Sequence, residues 1–138
     1  MQPKSWFYGA TRYQWLVLFV AWLGWVFDSM DAMIYALVLH PALHDLLHTT
    51  SAEKIGWYGG IIFSIFLIGW AVGGVLFGVL ADHIGRTKTL VFTILIYAVF
   101  TGMAALSQTW WQLAIFRFLT ALGIGGEWAA GAALVAEV

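Results

Sequence analysis

Four stretches of mainly apolar residues, at 15–39, 55–81, 90–106 and 113–138, follow one another with only short polar connections between them. A helix rises 1.5 Å per residue, so about 20 apolar residues are needed to cross about 30 Å of hydrocarbon. The first, second and fourth runs meet that length. The third is shorter, which makes its ends the least defined. The composition agrees: 62% of residues are hydrophobic, 9% are charged and the mean hydropathy is +0.88. A soluble domain of 138 residues cannot hide that much apolar surface. The expected fold is all-α, with four transmembrane helices.

Several classes of function fall away at this stage. A net charge of −1 gives no bulk attraction for nucleic acid or an anionic surface. With no Cys there is no disulfide scaffold, thiolate metal site or thiol redox chemistry. Catalytic triads, metal clusters and phosphate loops are absent from the sequence, so neither enzyme activity nor a cofactor is expected. No linker or second composition regime divides the chain, and 1–138 is expected to be a single membrane unit. The first run exceeds the core of a secretory signal, contains two acids and is not followed by a small-residue cleavage site, so a retained helix is expected.

The basic residues set the orientation. Lys4 and Arg12 precede the first run, and Arg86 and Lys88 lie between the second and third. Lys54 alone lies in the first connection, and none lies at 107–112. By the positive-inside rule the N-terminus is expected to be cytoplasmic. A multi-pass protein of the plasma (inner) membrane is expected. Trp15, Trp57, Trp110 and Trp111 then fall at helix ends, where an amphipathic indole favours the lipid–water interface.

The second run is rich in Gly, with pairs four apart at Gly56/Gly60, Gly69/Gly73 and Gly74/Gly78. Such faces let helix backbones approach closely, either as static packing or as a sliding contact. Nucleotide binding is a poor explanation for the glycines of the fourth run, because Gly123, Gly125 and Gly126 do not form G-x-G-x-x-G and no strand precedes them.

Ionisable residues inside a span cost several kcal/mol unless they face a cavity or a partner. Asp28, Asp31, Arg117, Glu127 and Glu137 are of this kind, with Glu137 at the projected inner end and expected to be interfacial. Asp28 and Asp31 are three apart and share a helix face. Counted from Trp15, Asp31 lies about 24 Å in, roughly 6 Å from the outer boundary, and Arg117 lies about 6 Å down the fourth helix from that same boundary. The two are level, and an Asp31–Arg117 ion pair is expected, with Asp28 one turn deeper. A carboxyl group held between burial, a like-charged neighbour and an arginine changes its proton affinity as those surroundings change, as a proton-coupled carrier requires. Arg117, released by a protonated Asp, can grip a carboxylate through two parallel hydrogen bonds. A purely structural pair locking the first helix to the fourth is the competing explanation. Glu127, about 21 Å in from the outer side, is too deep to pair with Asp31 and suits either a buried hydrogen-bonded acid or a proton relay.

His40, His44 and His48 recur at helical spacing beside Asp45, but the segment is polar, lies at a span end and contains Pro41 as an interruption. A solvated outer rim is expected there, and no metal site.

Between the second and third runs lies Gly78-Val-Leu-Ala-Asp82-His-Ile-Gly85-Arg86-Thr-Lys88-Thr-Leu90, expected to be a short charged loop. This pattern resembles the signature after the second helix of major facilitator superfamily transporters. Arg117 followed by Gly123, Gly125, Gly126, Glu127 and Trp128 resembles that superfamily's fourth-helix pattern. Phe27-Asp28-Ser29-Met30-Asp31 resembles the Asp-Gly-Phe-Asp motif of its aromatic-acid and sialate-type proton symporters, with Ser29-Met30 in place of Gly-Phe. In the loop, His83 stands where an Arg is usual and Thr87 separates the two bases, which leaves it less basic.

The resemblance implies a carrier that works by alternating access. Helices one and four would line a central cavity, and the loop residues Gly78, Asp82, Gly85, Arg86 and Lys88 would help close the cytoplasmic side. It implies proton-coupled symport of a small organic anion, such as an aromatic acid, sialate or another carboxylate. Asp28, Asp31, Arg117 and Glu127 would serve substrate and proton. A complete carrier of this kind has two six-helix halves, so this chain is expected to be an N-terminal fragment whose partners are the lipid bilayer and the remaining helices. A self-contained four-helix subunit or scaffold, and a drug exporter of the same superfamily, are the alternatives. An Asp82–Arg86 contact across the turn is expected with or without a partner half.

Overall fold

The computed structural model describes residues 11–137, so Lys4 and the final Val138 of the fourth run lie outside the described residues. The chain forms four helices: α1 (Arg12–Leu47), α2 (Ala52–Ile84), α3 (Arg86–Ala104) and α4 (Trp110–Glu137). All four are long and apolar enough to cross a membrane. Each is the natural state of an apolar run in hydrocarbon, where every backbone N–H and C=O must be satisfied within the segment.

Local chemistry fixes the helix ends. Thr11 Oγ1 accepts from the Gln14 backbone N–H at 3.3 Å while Gln14 Oε1 accepts from the Thr11 N–H at 2.7 Å, a reciprocal cap that starts α1. His48, at φ 47°, turns the chain out of α1. Ser51 caps α2, and Glu53 in its first turn complements the helix dipole. Gly85, at φ 99°, is the only residue between α2 and α3, a backbone conformation that a side chain would strain.

Two expectations need correction. The segment at 78–90 is helical except for Gly85, because one glycine is enough to reverse the chain, so the expected loop shrinks to a single residue. Pro41 does not interrupt α1, which continues to Leu47. Proline removes one helical hydrogen bond. The turn beyond it is held by burial of Leu43, 0% exposed, against Ile55, Ile62 and Leu113. The histidines beside it therefore lie on the last turns of α1 and at its cap.

α4 is the centre of the bundle. It packs against each of the other three helices, whereas α1 and α3 do not approach one another. Twelve residues of α4 are buried, against only Val17, Asp31 and Leu43 of α1. The close contact of α2 with α4 depends on small residues. A side-chain carbon on Gly73 would collide with the Leu122 backbone, and one on Gly125 with the Trp70 carbonyl. Gly69 lies against Phe118 and Ala121, but Gly56 and Gly60 face open space. Apolar clusters close both ends of the bundle, around Leu43, Ile62 and Leu113 at the α1–α2 end and around Ala81, Leu90 and Ala130 at the α2–α3 end.

Large apolar side chains stand outside. Met33 and Leu37 of α1 are 72% and 78% exposed, and Val75 of α2 is 70% exposed. On a soluble protein such surface would drive aggregation; on helices of this length it meets lipid or further helices.

Candidate functional site

Asp31 on α1 and Arg117 on α4 bring a charge pair into the bundle. Arg117 Nη1 donates to Asp31 Oδ2 at 2.9 Å, and both side chains are deeply buried. This is the pair expected from their matching depths. The Tyr35 ring, one turn along α1, lies over the guanidinium with Cζ 4.0 Å from its centroid, so its face meets the cation. Arg117 Nε is buried without a partner in the protein. The guanidinium thus uses one edge for Asp31 and keeps donor capacity for another acceptor.

Asp28 lies one turn back along α1. Its two carboxylate oxygens are shut off from solvent. The Trp128 indole is the donor that comes near it, and both Glu127 and Asp31 act on it through space. Glu127 is 7% exposed, and its carboxylate occupies the space that a side chain on Gly24 would fill. Gly24 thereby gives an acid of α4 room beside α1. No hydrogen bond or ion pair joins Glu127 to Asp31 among the described residues; Asp28 is the acid that feels both. Tyr97 of α3 feels the charges of Asp28, Asp31, Glu127 and Arg117 together.

An aromatic group flanks these acids. Trp25 stacks on Trp128 with centroids 4.2 Å apart and planes 14° from parallel, and Trp70 of α2 meets Trp128 edge-on at 5.9 Å. Tyr35, Tyr97 and this tryptophan group were not anticipated as site residues. For Tyr35 the signal was present, since it stands four residues after Asp31 on the same helix face.

A second charged group lies at the α2–α3 end. Arg86 Nη2 is 2.6 Å from Asp82 Oδ1, the contact expected across the turn, and Arg86 Nε donates to Glu137 Oε1 at 3.1 Å. Glu137, expected only to sit at the interface, ties the end of α4 to the start of α3. Gly78 lies against Ala129, which keeps α2 close to α4 above this network, and Lys88 is exposed beside it. At the other end His44 Nδ1 is 3.2 Å from Asp45 Oδ1, and among the described residues no three His, Asp or Glu side chains converge as a metal site would require.

The sequence profile of the Major Facilitator Superfamily matches residues 16–138. This chain belongs to the major facilitator superfamily. Among curated members, it is 40% identical over 91% of its length to a metabolite transport protein of Haemophilus influenzae, covering 29% of that protein. It is 34% identical over 96% of its length to the sialic acid transporter of Escherichia coli, covering 31% of it. It is 37% identical over 91% of its length to the niacin transporter of Acinetobacter baylyi, covering 27% of it. The chain thus spans about three-tenths of the length of these superfamily relatives. All three relatives are named as transporters, and the four apolar helices make this a multi-pass membrane protein.

Proposed function

We propose that this chain forms the first four helices of a secondary transporter that carries a small organic anion together with protons by alternating access. The observation that carries this reading is the buried Asp31–Arg117 pair, with Arg117 Nε unengaged and Asp28 and Glu127 following in sequence along the α1–α4 interface. A proton taken up on Asp31 Oδ2 neutralises the carboxylate and ends its hold on Arg117. The freed guanidinium then offers two parallel N–H donors to a substrate carboxylate. Asp28 and Glu127 form a path for the proton deeper between α1 and α4. Niacin and sialic acid, the cargoes named for two relatives, both carry a carboxylate that fits this chemistry.

The bases at the α2–α3 end, Arg86 and Lys88, together with Arg12 at the start of α1, support a cytoplasmic N-terminus. Asp82, Gly85, Arg86 and Lys88, with Gly78 behind them, then act at the cytoplasmic gate, where the remaining helices of the carrier are the partner. The 138 residues work as one membrane unit within that carrier. Replacing Asp31 by Asn in the complete carrier tests the reading: proton-driven accumulation is expected to vanish while substrate exchange persists, and unaltered accumulation overturns it.

A further inference from the structure

Asp28, Asp31 and Tyr35 stand at i, i+3 and i+7, on one face of α1. Arg117 reaches that face from α4. Its Nη1 donates to Asp31 Oδ2 at 2.9 Å, and the Tyr35 ring lies against the guanidinium with Cζ 4.0 Å from the ring centroid. The cation therefore has two holders of different chemistry on the same helix. Asp31 holds it by charge, which one proton abolishes. The ring holds it through the negative potential of its face, which does not depend on that proton.

The two holders also occupy different parts of the guanidinium. Its N–H groups all lie in its plane, so a carboxylate takes an edge, whereas a ring against the face uses no donor. When Asp31 lets go, the edge it vacates is free for a substrate carboxylate while the ring keeps its place. Without the ring, another acid is at hand. Asp28 lies about 4.5 Å along α1 from Asp31, on the side away from Tyr35, and neither of its carboxylate oxygens has a hydrogen-bond partner in the protein. A released guanidinium that moved there would be paired again and lost to the substrate. The other ionisable groups in electrostatic reach of these residues are Glu127 of α4 and Tyr97 of α3.

The position of the ring is fixed independently of Asp31. Tyr35 packs against the apolar cluster of Leu43, Ile55, Ile62, Leu113 and Ala114, drawn from α1, α2 and α4. Leu113 is one turn before Arg117, so the cluster ties the ring to the helix that carries the cation. The Tyr35 hydroxyl has no hydrogen-bond partner in the protein, which leaves the ring as the link to Arg117.

We infer that Tyr35 is a positioning residue of the carrier: its ring holds Arg117 in place for the substrate carboxylate while Asp31 is protonated, and keeps the cation from Asp28. This rests on the proton coupling and the carboxylate cargo proposed above.

Graded fluorination of the ring tests it in the complete carrier, because fluorine drains negative potential from the face and barely changes the ring's shape. Position 35 is filled in turn by phenylalanine, by phenylalanines with one, two and three ring fluorines, and by leucine. With niacin as the probe, the KM for exchange in proteoliposomes is expected to stay within about twofold for Tyr35→Phe. It is expected to climb with each fluorine and to reach about tenfold in Tyr35→Leu, with kcat little changed. Thermal unfolding of the same series in the Asp31→Asn carrier needs no substrate. There the ring is left to hold the cation, and the melting temperature is expected to fall by about 1–2 °C across the fluorinated rings. A KM that ignores fluorine, or a flat melting series, means that the ring only fills space and overturns the inference. Proton-driven accumulation that survives in Asp31→Asn rejects the coupling instead, and not the hold of the ring on the cation.

Discussion

Arg117 reaches across 86 positions of sequence to hold Asp31 at 2.9 Å, with the two side chains 10% and 9% exposed. Removing one member of such a buried pair strands the other charge, which costs about 3–5 kcal/mol, whereas removing both together costs far less. Arg117→Gln and Asp31→Asn are therefore each expected to lower the stability of the complete carrier by about 3 kcal/mol, and the double variant to recover most of it. Thermal unfolding in detergent measures the cycle. A double variant no more stable than either single one would mean that the two side chains are not energetically paired.

The glycines of α2 separate into two kinds. Gly73 sits where α4 leaves no room for a side-chain carbon, as does Gly125 on the facing helix, while Gly56 and Gly60 have nothing within 4 Å. Gly125→Ala must push α2 and α4 apart and is expected to cost about 2 kcal/mol in this 138-residue chain. Gly60→Ala gains helix propensity and is expected to raise stability by about 0.5–1 kcal/mol. Denaturation of the purified chain in mixed micelles distinguishes the two, and equal effects would contradict the packing.

The contrast between those glycines marks what the sequence made legible and what it did not. Spacing of four placed all three Gly pairs on helix faces, but periodicity says nothing about which face a neighbour covers. Only the packing of α2 on α4 separates Gly69/Gly73 from Gly56/Gly60. The Asp31–Arg117 pair was within reach of arithmetic, because helices have a fixed rise and both residues count to the same depth. The Arg86–Glu137 contact was not, since it requires the start of α3 to lie beside the end of α4, a relation between helices that no local pattern encodes. Pro41 misled for a different reason: its local cost is real, and burial of Leu43 outweighs it.

Arg86 bridges Asp82 and Glu137, but those two carboxylates are 60% and 56% exposed, so each ion pair is expected to contribute no more than about 1 kcal/mol in solution. Their proposed importance is kinetic. Asp82→Asn is expected to change the melting temperature little while slowing transport severalfold, because it alters which closed arrangement of the cytoplasmic end is favoured. Uptake by vesicles, measured beside thermal unfolding, checks both halves of this expectation. A large stability loss with normal transport would assign Asp82 a structural role instead.

α1 is the helix least committed to this bundle. It buries Val17, Asp31 and Leu43 in the described structure, whereas α4 buries twelve residues and touches every other helix. Among its attachments are the Trp25–Trp128 stack, the Asp31–Arg117 pair and Leu43 in the apolar cluster. Local opening follows the number of buried contacts that must be broken, so amide hydrogens of α1 are expected to exchange before those of α4 in the isolated chain. Trp25→Ala removes one attachment, worth about 1 kcal/mol beyond its buried area, and should speed exchange at 18–30 about fivefold while leaving 117–127 unchanged. Hydrogen–deuterium exchange by mass spectrometry resolves those segments. Uniform acceleration along both helices would mean that the four helices open as one cooperative unit, and that α1 is held as firmly as the rest.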